Sequence, residues 1–365
     1  MSEQRLAARR SALAGLTCLI AGIAAAIVGC GSSTGGQAAT SAAAATLPAS
    51  TGKGFPTQQL VNAANAEGKV VLYAATAPAD NQLFVSAFNR AYPKIKVTVT
   101  RADPTALEPQ ILAEIRTNTT TADVYFTTDR QWLLDHESLL TPIESPAAVT
   151  RYRPWFAAGG RIVGFQFHPG GIEWNTNDLS RGINSFRALA ALPRSAAIGV
   201  MDPRLSTGAL AWEYYATKTF GAAWLKQLLS HQIRFYPEST SLVQAVGAGE
   251  VVAGVPAFTS VVKGAEQSGA PIGSILGDPS IVSQMNASII KAGQDPAAAQ
   301  LMVDFVLSPA GQAAMEQAKL SPLSGIPGTL GSVQVGKTDI ADISTISPSE
   351  QAAFLKQFNR DAGRG

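Results

Sequence analysis

The apolar positions of this chain switch repeatedly between two periods. Lys69-Val70-Val71-Leu72-Tyr73-Ala74 is a short, almost unbroken apolar run, which predicts a buried strand. Over Asn81–Tyr92 the residues Leu83, Phe84, Ala87, Phe88 and Ala91 keep helical spacing, with Asp80 as predicted cap and Pro93 as stop. Ile95–Val99 alternates like a strand, Leu107–Arg116 is helical, Ala122–Phe126 is extended and Arg130–Leu140 is helical again. This β-α-β-α-β-α order predicts a parallel sheet covered by helices.

Pro142, Pro146 and Pro154 then interrupt the pattern. Arg161–Phe167 and Gly171–Asn175 are predicted strands that cross between two lobes. A second alternation follows: strand Ala197–Met201, a long helical stretch to Leu229 capped by Ser206 or Thr207, strand Ile233–Tyr236, helix Ser241–Val246, strand Val251–Val255, helix Val261–Gln267 and an extended Pro271–Leu276. Helices Pro296–Leu307 and Pro309–Ala318 return to the first lobe. Ser347 and Pro348 open a last helix to Asp361, with proline at the position where its missing N–H costs nothing. The expectation is a two-lobed α/β protein, each lobe a mostly parallel sheet under helices. Residues 54–168 and 283–330 form lobe 1, residues 169–282 form lobe 2, and residues 331–365 form a C-terminal segment.

The start of the chain reads differently. Arg5, Arg9 and Arg10 precede an uncharged stretch from Ser11 to Gly29 rich in Ala, Leu and Ile, the layout of a secretion signal. Ile27-Val28-Gly29-Cys30 resembles a lipobox, so residues 1–29 are expected to be removed and Cys30 lipidated. The stretch is also long enough for an uncleaved spanning helix, or it is an ordinary cleaved signal. Residues 30–53, rich in Gly, Ala, Ser and Thr, read as a flexible tether. The protein is thus expected at the extracytoplasmic face of a cell membrane, held by lipid. The two cysteines, Cys18 and Cys30, both lie in this region, which leaves the folded part no disulfide or thiolate metal site.

The 28 basic and 26 acidic residues form no basic block, which argues against nucleic acid as a partner. What remains after the leader and tether exceeds one comfortable core, in agreement with two lobes.

Several segments together resemble the substrate-binding proteins of ABC importers, in the branch that includes ferric-iron carriers. They are Glu67–Tyr73, Phe88-Asn89-Arg90-Ala91-Tyr92-Pro93, Ala122-Asp123-Val124, Trp174-Asn175-Thr176, Asp202-Pro203-Arg204 with Ser206-Thr207-Gly208, Val246–Gly254, and Asp295 through Gln312. The resemblance covers about Glu67 to Gly325. It implies a fold that closes on a small ligand, a lipid-anchored monomer and an ABC permease as partner.

Helix N-termini favour anions, because their first N–H groups are free and carry partial positive charge. Four strand-to-helix turns have this character: Thr76-Ala77, Thr127-Thr128, Ser206-Thr207-Gly208 and Ser239 with its neighbours. Each is also an ordinary set of caps. Arg204 either forks onto an oxyanion or pairs with Asp202 or Glu238. Trp174 and Phe258 wall the cleft or lie in the core, and Asn175 bonds the ligand or holds the hinge. The expected ligand is small and anionic, with no cofactor and no metal.

Iron is where the resemblance fails. The ferric carriers place an adjacent tyrosine pair after the strand that here runs into Val255-Pro256-Ala257-Phe258. Tyr214-Tyr215 lies inside a predicted helix, where neighbours point about 100° apart. His136, His168 and His231 lack ligand spacing. A ferric carrier and a lipid-anchored sensor or scaffold are the alternatives. An enzyme is disfavoured, because Gly31-Ser32-Ser33-Thr34-Gly35 falls in the tether rather than between strand and helix.

Overall fold

The computed structural model describes residues 56–145, 151–315, 319–330 and 339–364, which belong to one compact unit. The signal, Cys30 and the tether lie outside the described residues.

In chain order the elements are α1 (Gln58–Glu67), β1 (Lys69–Ala74), α2 (Pro78–Ala91), β2 (Lys96–Arg101), α3 (Pro104–Thr117), β3 (Val124–Thr127), α4 (Arg130–Asp135) and β4 (Leu140–Thr141). There follow β5 (Phe156–Ala157), β6 (Ile162–Asn175), α5 (Phe186–Ala190), β7 (Ala197–Met201), α6 (Thr207–Phe220), α7 (Ala222–Leu228), β8 (Gln232–Tyr236), α8 (Ser239–Gly247), β9 (Ala253–Phe258) and α9 (Thr259–Gln267). The chain closes with β10 (Ile272–Ile290), α10 (Pro296–Val306), α11 (Pro309–Ala314), β11 (Asp339–Ala341) and α12 (Pro348–Asp361).

The strands hydrogen-bond in the order β2-β1-β3-β10-β6-β9-β7-β8, with β4 and β11 on β10 and β5 on β6. In the first lobe β1 runs parallel to β2 and β3. In the second, β7 runs parallel to β8 and β9. Between them lies the long antiparallel pair β6–β10, from Ile272 opposite Asn175 to Ala287 opposite Val163. The two short strands expected at Arg161–Phe167 and Gly171–Asn175 are therefore one strand, and Pro271–Leu276 is only the start of β10. Pro169-Gly170-Gly171 carries the signal of a turn, yet the strand runs through it, with Pro169 opposite Val282 and Gly170 opposite Ile281, and the irregularity falls on β10 between Leu276 and Ile281. The expected lobe limits near 168 and 282 fall inside these two strands.

Gly171 lets the pair close. A Cβ there would stand 2.1 Å from the Ile275 carbonyl oxygen on β10. Gly171→Ala is expected to cost about 2–3 kcal/mol, because backbone and not a flexible side chain would have to shift. A denaturant midpoint indistinguishable from wild type would show that the pairing absorbs the methyl group.

Each lobe has its own core. In the first, Phe84, Phe126 and Phe305 gather with Phe165, the Phe84 and Phe305 rings 5.8 Å apart. In the second, Trp212, Trp224 and Phe186 cluster over β7 and β9. The last helix is opened by a reciprocal cap between Ser347 and Glu350, with Pro348 at its first turn as expected. Its partner is the second lobe, with Phe354 5.7 Å from Tyr214 and Phe358 5.9 Å from Phe235. The segment before it ties back to the first lobe, where Arg130 pairs with Asp342 at 2.5 Å.

Some elements depart from the sequence pattern. The long helix ends at Gly221, whose φ of 94° breaks it, so Ala222 starts α7. Asp80 does not cap α2, which begins at Pro78. Its carboxylate is buried and pairs with Lys319 Nζ at 2.7 Å. No helix among the described residues is long and apolar enough to cross a membrane.

Candidate functional site

Strands of both lobes end at one open cleft, and the helices that follow begin there. Such a crevice at strand ends is where open α/β sheets take ligands. On the first-lobe wall stand Ala75, Thr76 and Ala77 after β1, Arg101 and Asp103 after β2, and Thr128 after β3. On the second-lobe wall stand Ser206 and Gly208 opening α6, Glu238, Ser239 and Thr240 opening α8, and Phe258 and Ser260 opening α9. The floor is made by the crossing strands, with His168 from β6 and Ser283 and Met285 from β10.

Of the residues read from sequence, Thr76, Ala77, Thr128, Ser206, Gly208, Ser239 and Phe258 meet in this cleft. The Thr76 hydroxyl is engaged with Asn81 Oδ1. Ser206 accepts from Ala209 N at 3.2 Å as the cap of α6. Ser239 Oγ and Ser283 Oγ are buried without a hydrogen-bond partner among the described residues, and Ser283 is only 4% exposed. A buried hydroxyl left unpaired costs free energy that a bound polar group can recover. Thr128 marks the approach of the lobes: its Oγ1 lies 3.5 Å from where a Cβ on Gly208 would stand.

The other five are placed elsewhere. Thr127 is fully buried and accepts from Asp129 N at 2.9 Å. Thr207 turns its buried hydroxyl towards the Asp129 carboxylate, outside the lining. Asn175 donates to Val246 O at 2.8 Å and accepts from Asn177 N at 2.9 Å, so it ties a loop to the end of α8. The Trp174 ring fills the space over Gly273, whose Cβ would lie 2.6 Å from it. Arg204 grips Asp202 with Nη2 at 2.7 Å and Nε at 3.0 Å. Arg364 adds a third bond to Asp202 at 2.9 Å. Burial pushes the Asp202 carboxyl up, but the bonds from the two arginines outweigh it and hold the group down to about 2.

Arg101, Asp103, Glu238, His168 and Ser283 were not read from the sequence. Arg101 and Glu238 obey the same rule as Thr76, since each stands where a strand ends, and Glu238 directly precedes the Ser239 turn, but neither is itself a hydroxyl residue. His168 and Ser283 come from the crossing strands, where nothing local distinguishes them. Burial, helped by the nearby Lys319 charge, keeps His168 well below its ordinary range and so neutral. Its Nε2 is 3.0 Å from Gln166 Oε1. With that nitrogen donating, Nδ1 is an acceptor at the floor. Burial raises the Asp103 carboxyl against the attraction of Arg101, and Glu238 adds to the rise.

The tyrosine pair lies far from this chemistry. Tyr214 donates to Glu350 at 3.2 Å and Tyr215 shares a hydrogen bond with Thr345 at 2.6 Å, both against the C-terminal segment. His136 stacks on Trp132, and His231 is bonded to the carbonyls of Leu228 and Leu192. Among the described residues no group of three or more His, Cys, Asp or Glu is arranged to hold a metal ion.

Comparison with known proteins places these features in a family. Residues 69–318 match the profile of the bacterial extracellular solute-binding proteins. A search of curated proteins found no match. Among solved structures, the substrate-binding protein of an ABC transporter from Agrobacterium tumefaciens is 15% identical, with a TM-score of 0.71 over 80% of this chain and 94% of that one. The periplasmic binding protein AfuA from Actinobacillus pleuropneumoniae, with exogenous fructose-6-phosphate bound, is 18% identical, with a TM-score of 0.67 over 82% and 100%. Iron-bound HitA from Pseudomonas aeruginosa is 21% identical, with a TM-score of 0.60 over 81% and 99%. At these identities the likeness is one of fold.

Proposed function

Because this chain belongs to the bacterial extracellular solute-binding proteins, the solute-capturing components of ABC transporters, we propose that it captures a small anion in its cleft and delivers it to a permease while tethered by a lipid on Cys30. The observation that carries this reading is the convergence of the α2, α6, α8 and α9 starts on one cleft, with the Ser239 and Ser283 hydroxyls unpaired there among the described residues. Helix N-termini supply N–H donors and partial positive charge, and the hydroxyls supply further donors. Arg101 supplies the guanidinium that the sequence had suggested for Arg204.

Two of the structural neighbours carry different cargoes, a sugar phosphate and iron. The cleft described here favours the first kind. Its lining offers hydroxyls and helix starts, and among the described residues no tyrosine stands in it. Fe(III) asks for several hard anionic oxygens, which this lining does not assemble.

Calorimetry on a soluble form lacking residues 1–52 tests the reading with inorganic phosphate, sulfate, phosphorylated sugars, carboxylates and Fe(III). A tight anion is the expected hit. Thr128→Ala and Ser239→Ala should each weaken it about tenfold, the value of one hydrogen bond to a charged group. Unchanged affinity in both would reduce these residues to structural ones. No binding of any compound at millimolar concentration would favour a sensor or scaffold. Mass spectrometry of the membrane-extracted protein checks the anchor, and an unmodified Cys30 would remove it.

A further inference from the structure

We propose that Arg101 and Glu238 form a clasp across the cleft, which holds the empty lobes together and which an anionic ligand releases by replacing Glu238 on the guanidinium. Arg101 is the last residue of β2 in the first lobe, and Glu238 stands just before α8 in the second. Arg101 Nη1 lies 2.6 Å from Glu238 Oε2, and both side chains are 27% exposed. The pair is therefore partly desolvated, where it is worth more than a surface pair, yet within reach of a solute. Both residues line the cleft.

Glu238 holds the cap position of α8, where an acidic side chain ordinarily accepts from the first turn of its own helix. Here it makes no such bond. Its carboxylate is turned across the cleft instead, so the α8 start lacks that side-chain acceptor. Arg101 Nε is buried and has no hydrogen-bond partner among the described residues. Glu238 Oε2 is likewise buried without an aligned hydrogen bond among the described residues, so it meets the guanidinium as a charge beside Nη1 and leaves Nε open. A carboxylate or phosphate with two oxygens can bridge Nε and a terminal nitrogen together, the stronger forked geometry. It also meets the donors that Glu238 leaves unused at the α8 start. Asp103 lies close enough to feel both charges. Burial and the Glu238 charge raise its carboxyl, while Arg101 draws it down.

This inference rests on the anionic reading of the cleft, and its test separates the two. The lobe-to-lobe distance in the ligand-free soluble form, measured between spin labels on α3 and α7, reads the clasp without any ligand. Glu238→Gln and Arg101→Gln are expected to lengthen and broaden that distance, and the charge swap R101E/E238R to restore it. Wild-type distances in Glu238→Gln would overturn the clasp. Titration with inorganic phosphate reads the competition. Glu238→Gln is expected to bind about tenfold tighter than wild type and Arg101→Gln about tenfold weaker, the scale of one charge-assisted contact. In the Arg101→Gln background Glu238→Gln should bring no gain, which separates direct competition from a general loss of negative charge. A gain that persists there would overturn the competition. If phosphate binds neither wild type nor Glu238→Gln while the distances still respond, the anionic reading fails and the clasp stands as a lock between lobes.

Discussion

Replacing Lys319 with methionine is expected to remove about 3–5 kcal/mol of stability, the cost of leaving a buried charge without its partner. The Lys319 side chain is fully buried, 2.7 Å from Asp80 Oδ1, and donates to the Met315 carbonyl at 2.7 Å. Methionine retains most of the volume and none of the charge, so the loss falls on Asp80, which is 5% exposed in the first turn of α2. The double change Lys319→Met with Asp80→Leu should recover most of it, since apolar replacement of a whole buried pair is often neutral. Urea denaturation of the wild type, the two single variants and the double variant reads this directly. A single-mutant loss below about 1 kcal/mol, the scale of an exposed pair, would mean that the pair is reached by water. The consequence reaches the cleft, because α2 begins beside Thr76 and Ala77.

The second large effect depends on pH. Glu213 is fully buried in α6 and neither carboxylate oxygen has a hydrogen-bond partner among the described residues. Burial raises its pKa to about 8. The unfolded chain ionises this group near its ordinary value of 4.5. The folded form therefore holds a proton that the unfolded form has lost. Its stabilising contribution is full below about pH 4.5 and declines as pH rises to about 8, by roughly 1.4 kcal/mol per unit. Glu213→Gln should leave stability nearly unchanged at pH 5 and raise it by several kcal/mol at pH 8. Glu173, also fully buried and raised by burial, pulls the same way, so the double glutamine variant should show the flatter profile. Thermal unfolding across pH 5–9 decides it. Parallel pH profiles for wild type and Glu213→Gln would show that the carboxylate finds water or a cation when it ionises.

The alternating pattern was legible because each β-α unit is local: Val70, Leu72, Phe84 and Phe88 report their own strand and helix. The cap of α12 was legible for the same reason, since Ser347, Pro348 and Glu350 settle it among themselves. The crossing of β6 and β10 was not, because pairing between distant strands leaves no mark on either. The cleft divides along the same line. Thr128, Ser206 and Ser239 belong to turns whose residues announce helix starts. Arg204 misled because its partner, Asp202, is two residues away and takes the guanidinium first. Arg101 also has an acid two residues away, Asp103, and only the folded chain shows that its guanidinium meets Glu238 of the other lobe.

The two long crossing strands carry a consequence for how the chain comes into being. A protein emerging from the ribosome, or threading through a membrane pore, appears in order from its N-terminal end. The first-lobe sheet emerges early with Phe84, Phe88 and Phe126, but its cover arrives last: Leu301, Met302 and Phe305 belong to α10, after the whole second lobe has been made. Until then those aromatic side chains have one another, with Phe84 5.7 Å from Phe126, but lack the Phe305 ring that comes to lie 5.8 Å from Phe84. Fragments that stop before Pro296 keep the second-lobe strands and helices up to α9, yet lack the α10 share of the first-lobe core, and they are the forms of this chain that a holding chaperone or a protease would meet first.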